Sequence, residues 1–184
     1  SQDFPKEMGY SLYDNNRSTR IHELIESYEK IDFSDFKSIK FDYKYPSPFT
    51  FNFVDVNEIM EMNPNDYPDI SDLIIEIQNW DRSTNSDSLG AGIFAMFYYN
   101  LGNYIRKPYI NRNLSKDLIA KMLRDVKAYM VKHFNKTSVR LGEYQKLVRG
   151  DKEIPIWGMP DVITAMTSSR YVDGKRKITH GESY

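Results

Sequence analysis

The stretch "SKDLIAKMLRDVKAYMVKHF", Ser115 to Phe134, limits the fold more than any other part of the chain. Leu118, Ile119, Met122, Leu123, Val126, Met130 and Val131 recur three and four apart, the spacing of one helix face. Lysines and Arg124 take the other face, and Ser115 can cap the first turn. A helix of this kind is stabilised mainly by burying its stripe, so it needs neighbours.

The preceding sequence offers several. A helix is expected from near Ser18, with Ile21, Leu24, Ile25 and Tyr28 on one side and Glu23, Glu26, Glu29 and Lys30 in water. Ser34 is a candidate cap for a short helix carrying Phe36 and Ile39. Segment 41–53 is rich in aromatics but broken by Pro46 and Pro48, and reads as loop or extended chain. Residues 55–63 predict a short helix before Pro64. Ile70 to Trp80 predict another, capped by Asp69 or Ser71, with Leu73, Ile74 and Ile77 inward. A long helix is expected from Leu89 to near Ile105. Gly90 and Gly92 weaken its first turn by roughly 1 kcal/mol each relative to alanine, which points to a close helix contact there. A weaker helix is expected within residues 137–150.

At Gly150 the texture changes to prolines, glycines and β-branched residues. The expected fold is therefore mainly α, residues 1–149, followed by a small C-terminal β segment of loop and strand, residues 150–184. Asp173-Gly174 marks a tight turn, and the alternating residues after it read as a strand. That strand runs to Tyr184 without a second turn. Strand backbone needs a partner, so one is expected outside this chain.

With 184 residues, 40% hydrophobic and 28% charged, the composition is that of a soluble globular domain, alone or with an appendage. The net charge of −1 and the lack of a basic block leave no nucleic-acid partner expected. Lys175, Arg176 and Lys177 read as a solvated hairpin flank. The absence of cysteine removes disulfides, thiolate zinc sites and cysteine nucleophiles. No apolar run reaches membrane-spanning length, and "SQDFPKEMGY" does not read as a signal peptide.

No catalytic constellation can be assembled from the residues. His22, His133 and His180 are far apart and lack metal-ligand spacing. Asp66, Asp69 and Asp72 lack the order of a calcium loop, and helix capping explains Asp69 and Asp72 more simply. There is no P-loop, dinucleotide fingerprint or nucleophile elbow. Ser1 could act as an N-terminal nucleophile with its own amino group as base, but an end without chemistry is the preferred reading. Arg17 and Arg20 stand at the start of the first helix, against its dipole. Arg20 can pair with Glu23, whereas Arg17 has less local compensation.

"LGEYQKLVRGDKEIPIWGMPDVITAM" followed by "DGKRKITHGESY" resembles the penicillin acylase (penicillin amidase) family, in Arg149-Gly150, Pro155, Gly158, Asp161 and Gly181-Glu182-Ser183-Tyr184. Met159 stands where a second glycine is common. "NNRSTRIHELIES" and "DLIIEIQNWDRSTNSDSLGAGIFAMF" resemble two further family helices, in the same order. The resemblance implies an excised helical domain of an αββα-type N-terminal-nucleophile hydrolase that cleaves the amide of an acylated small molecule. β-Lactam side chains or acyl-homoserine lactones are the implied substrates. It implies a self-cleaving, exported precursor, periplasmic or secreted, whose α-chain and catalytic β-sheet are the partners of this chain. It places the nucleophile and oxyanion hole outside the chain, which alone is expected to be inactive. Arg17 matches the family arginine beside the catalytic asparagine and is the one site residue carried over. No cofactor is expected here; calcium is implied for the full-length protein. The rival expectation is a self-standing helical binding module, with segment 41–53 as its surface.

Overall fold

The computed structural model describes residues 14–49, 57–104, 114–164 and 170–178, with the side chains at 101–104, 170, 171 and 178 outside the description. The helices come first: α1 (Asn16–Glu26), α2 (Phe33–Lys40), α3 (Ser71–Gln78), α4 (Leu89–Tyr104), α5 (Lys116–Phe134) and the single turn α6 (Leu141–Tyr144). Two 3-10 turns, Asn57–Glu61 and Pro64–Asp66, precede α3. Strands β1 (Gln145–Arg149), β2 (Lys152–Pro155), β3 (Arg170–Val172) and β4 (Lys175–Ile178) follow. The fold is mainly α with a small C-terminal sheet.

The amphipathic stripe forms α5 over the expected residues. Ser115 Oγ accepts the Leu118 N–H at 3.3 Å, and Asn135 ends the helix in the left-handed region. Ile119, Met122, Leu123, Val126 and Met130 are buried, while Val131 at the stripe's edge is exposed. Helix α4 lies against α3, α5 and α6. It is apolar on nearly every side, as a helix at the centre of a core must be. The close approach expected at Gly90 and Gly92 is present, but its partners are not helices. A Cβ on Gly90 would strike the Trp80 side chain, and one on Gly92 the Val139 carbonyl oxygen. The 139–142 segment is also tied to the loop before α4, since Leu141 N–H donates to Ser88 O at 3.0 Å and Gly142 N–H to Ser86 O at 2.7 Å.

Several local expectations are corrected. Helix α1 starts two residues before Ser18: Asn15 is the cap, and Ser18 closes a reciprocal capping box with it. Helix α2 is capped by Asp32 rather than Ser34, with Asp35 returning the bond. It buries Ile39, whereas Phe36 is exposed. Neither Asp69 nor Ser71 caps α3, whose N-cap is Ile70 without a side-chain bond. Asp69 instead reaches across to Arg124 of α5, at 2.6 and 3.1 Å. The weaker helix expected in 137–150 shrinks to α6, because Gln145–Arg149 pairs with two strands and is drawn into the sheet.

The sheet order is β2-β1-β4-β3. Strands β1 and β2 are antiparallel, as are β3 and β4, and β1 runs parallel to β4. The Asp173-Gly174 turn forms as expected: φ is 50° and 72°, the two positive values of a two-residue hairpin turn. The residues after Ile178, His180 included, lie outside the described set. Arg176 is fully buried, which corrects its reading as part of a solvated flank.

Within segment 41–53, two of the described aromatics belong to the core, while Phe41 is exposed. Tyr45 and Phe49 are buried and stack at 5.3 Å between ring centroids. Trp80 and Phe94 complete the cluster, with Phe49 edge-on to Phe94 at 5.4 Å. These rings cannot serve the surface of a binding module. Gln78 Nε2 donates to the carbonyls of Ile59, Met60 and Met62, fastening the preceding 3-10 turn to α3.

Candidate functional site

Arg17 lies in the first turn of α1, a turn without an acidic residue. A cation there opposes the helix dipole. Compensation comes from the other end of the chain. One oxygen of Asp161, Oδ2, accepts the Asn16 backbone N–H at 3.1 Å and the Asn16 side-chain amide at 2.9 Å. Asn16 is 2% exposed, so a carboxylate meets the helix N-terminus in a place mostly shielded from water. The Nε of Arg17 is shielded as well.

Asp161 is held by a segment with its own anchors. Gly158, at φ 97°, donates its N–H to Thr84 O at 3.1 Å. Its carbonyl accepts from Gln145 Nε2 at 2.9 Å. The Pro160 carbonyl accepts the Tyr45 hydroxyl at 2.8 Å. Burial pushes the Tyr45 phenol well above its usual range, so it stays a donor. Thr164 donates twice to Asp42 O, from N–H at 3.2 Å and Oγ1 at 3.1 Å. Asp42 in turn takes Arg20 in a two-pronged bond, Nε at 3.1 Å and Nη2 at 3.0 Å, and the third Arg20 bond goes to Glu23 at 3.0 Å. The predicted Arg20–Glu23 pair thus exists, with Asp42 as a stronger partner that the local sequence did not show.

This cluster offers an anchored helix N-terminus with Arg17 in its first turn. It holds no nucleophile paired with a base. His22 is exposed on α1, and His133 sits in the last turn of α5 with its ring 4.4 Å from that of Tyr129. A cavity of about 620 Å³ lies elsewhere, walled by Tyr99, Tyr129 and Tyr144 beside the β3–β4 turn.

A family model described as penicillin amidase matches residues 1–184. The chain belongs to the penicillin amidase family. No curated protein matches it. Membership makes the parent protein an amide hydrolase of the amidase type.

Of the residues that resembled the penicillin amidase pattern, Arg149-Gly150 enters the β1–β2 turn, and Gly158 and Asp161 form the segment anchored beside α1. Ser1 and Gly181 to Tyr184 lie outside the described residues. The link from Asp161 to Asn16 joins two of the matching stretches, which sequence order alone does not reveal. The calcium implied by the resemblance finds no fit among the described residues. No group of three or more His, Asp or Glu there is placed to hold a metal. Asp69 is engaged by Arg124, and Asp72 by Lys127 at 2.8 Å. Among the described residues no helix is long and apolar enough to cross a membrane.

Proposed function

We propose that the parent protein hydrolyses the amide bond of an acylated small molecule, a β-lactam side chain or an acyl-homoserine lactone. This chain is its supporting helical part, inactive alone. The family match over residues 1–184 carries the reading. The bonds from Asp161 to Asn16, the residue before Arg17, support it.

The nucleophile is a serine upstream in the same precursor. Its α-amino group takes the hydroxyl proton as the oxygen attacks the carbonyl carbon. The proton passes to the leaving amine, and water then releases the acyl group as a carboxylic acid. A backbone amide and an asparagine side chain stabilise the oxyanion. Arg17 orders that asparagine and favours the developing negative charge, through electrostatics rather than bond-making. The remaining α-chain and catalytic sheet pack against this chain. Phe33, Phe36 and Phe41 are 77%, 55% and 53% exposed, an apolar surface that suits such packing. The parent is exported to the periplasm or secreted, and it binds calcium through ligands that lie mainly upstream.

The test is expression of the whole reading frame, with acyl-p-nitroanilides and N-acyl-homoserine lactones as probes. Hydrolysis is expected from the parent and not from residues 1–184 alone. In the parent, Arg17→Ala is expected to lower kcat by about 10²–10³-fold, the scale of losing one electrostatic stabiliser. An inert parent overturns the proposal. So does hydrolysis by the isolated chain that disappears with Ser1→Ala.

A further inference from the structure

Asp161 and Asn16 are 145 positions apart, yet two hydrogen bonds join them. The Asn15–Ser18 box satisfies the Ser18 and Asn15 N–H groups and leaves the buried Asn16 N–H to Asp161. The Asp161 segment does not need the contact, being tied to Thr84, Gln145 and Tyr45. The carboxylate nevertheless meets the residue directly before Arg17. We infer that Asp161 is a positioning residue of the amide-hydrolysing site: it fixes the first turn of α1 and through it the place of the Arg17 guanidinium. This rests on the reading of Arg17 given above.

The geometry of the bond is the first support. One oxygen takes both the backbone N–H and the side-chain amide of Asn16, so it fixes backbone and rotamer together. Charge is the second. A carboxylate at a helix N-terminus is favourable, and its bonds to N–H groups are stronger than neutral ones. The first turn of α1 carries no acid of its own, and Asp161 supplies that charge from a distance. Backbone conformation is the third. Asp161 has φ 63°, in the left-handed region that costs free energy for a residue with a Cβ. Glycine would adopt that conformation at no steric cost, but it offers no acceptor. The side chain present is the one that can reach Asn16.

The test uses the full-length parent. Asp161→Gly removes the acceptor and relieves the backbone, so folding is retained; Asp161→Asn keeps an oxygen able to take the same two bonds. Misplacing a catalytic group by about 1 Å costs on the order of 10²-fold, so kcat of Asp161→Gly is expected to fall about 10–100-fold with KM within about threefold. Asp161→Asn is expected to recover most of the loss. The double variant Arg17→Ala/Asp161→Gly should be no slower than Arg17→Ala, because one residue acts through the other. Hydrogen exchange at the Asn16 amide should be faster in Asp161→Gly. An unchanged kcat in Asp161→Gly, or full additivity in the double variant, overturns the inference when Arg17→Ala is itself impaired. If Arg17→Ala is silent, the Arg17 reading fails instead. Asn16 exchange then decides the anchoring: acceleration supports it, and no change overturns it.

Discussion

Arg176 carries a guanidinium into the interior, 4.2 Å from the centroid of the Tyr99 ring, and donates to Gln145 Oε1. Gln145 passes the connection on to the Gly158 carbonyl, at the base of the segment that bears Asp161. Removing the guanidinium strands a buried acceptor and a ring face. Arg176→Ala is therefore expected to destabilise by about 2–4 kcal/mol, read from the denaturant midpoint. Arg176→Lys should recover little of this, since an ammonium lacks the planar group that can stack on the ring while donating to the amide. The run Lys175-Arg176-Lys177 hid this role, because three cations in a row suggest a wet flank. Strand periodicity holds the missing signal: the middle residue of three on a strand faces the opposite side from its neighbours. Arg17 stands out in the sequence through its match to a family pattern. Its neighbour's bond to Asp161 does not, since a partner 145 residues away leaves no local mark.

At the scale of elements, α4 and α5 show two kinds of constraint. For α5 the constraint is local, and sequence shows it well: a serine cap, a stripe, lysines outside. Ser115→Ala should cost about 1 kcal/mol in thermal or denaturant unfolding, the usual loss for a cap. Helix α4 is constrained by what crosses it. Alanine normally improves a helix over glycine by about 1 kcal/mol. At Gly92 the new methyl would meet the Val139 carbonyl, and backbone cannot swing aside as a side chain can. The expected outcome is the reverse sign, a loss of about 1–3 kcal/mol for Gly92→Ala, measured by denaturant midpoint. An equal or higher midpoint would show that the 139–141 segment yields. Strand β1 illustrates what sequence could not show. The residues Gln145 to Arg149 suit a helix or a strand, and the register with Arg176, Lys177 and Ile178 decides between them. Helix α2, eight residues long, has room to bury little, and Ile39 rather than Phe36 takes that place.

Across the whole molecule, surface carboxylates tie distant elements together. Hydrogen bonds from Arg124 hold the Asp69 carboxyl below its usual range, linking the start of α3 to α5. Lys177, and then Lys146, do the same for Glu153, linking β2 to β4 and β1. A carboxyl with a lowered folded pKa contributes stability above its unfolded value, and that contribution is lost as pH falls through the folded one. Thermal stability should thus hold from neutral pH to about 5 and decline below about 4. Glu153→Gln should flatten part of that decline, and an unchanged slope would show that the strand pairs carry none of it. These exposed bonds are individually weak, so the acid effect is expected to be gradual. The bond between Asp161 and Asn16 has a further consequence in time. During synthesis the residue that fastens α1 is made 145 positions after Asn16. At about 5–20 residues per second the ribosome needs on the order of 10 s to supply it. Until then α1 is held by its own cap and by the Arg20–Asp42 bond, so the fastening of its first turn comes late in folding.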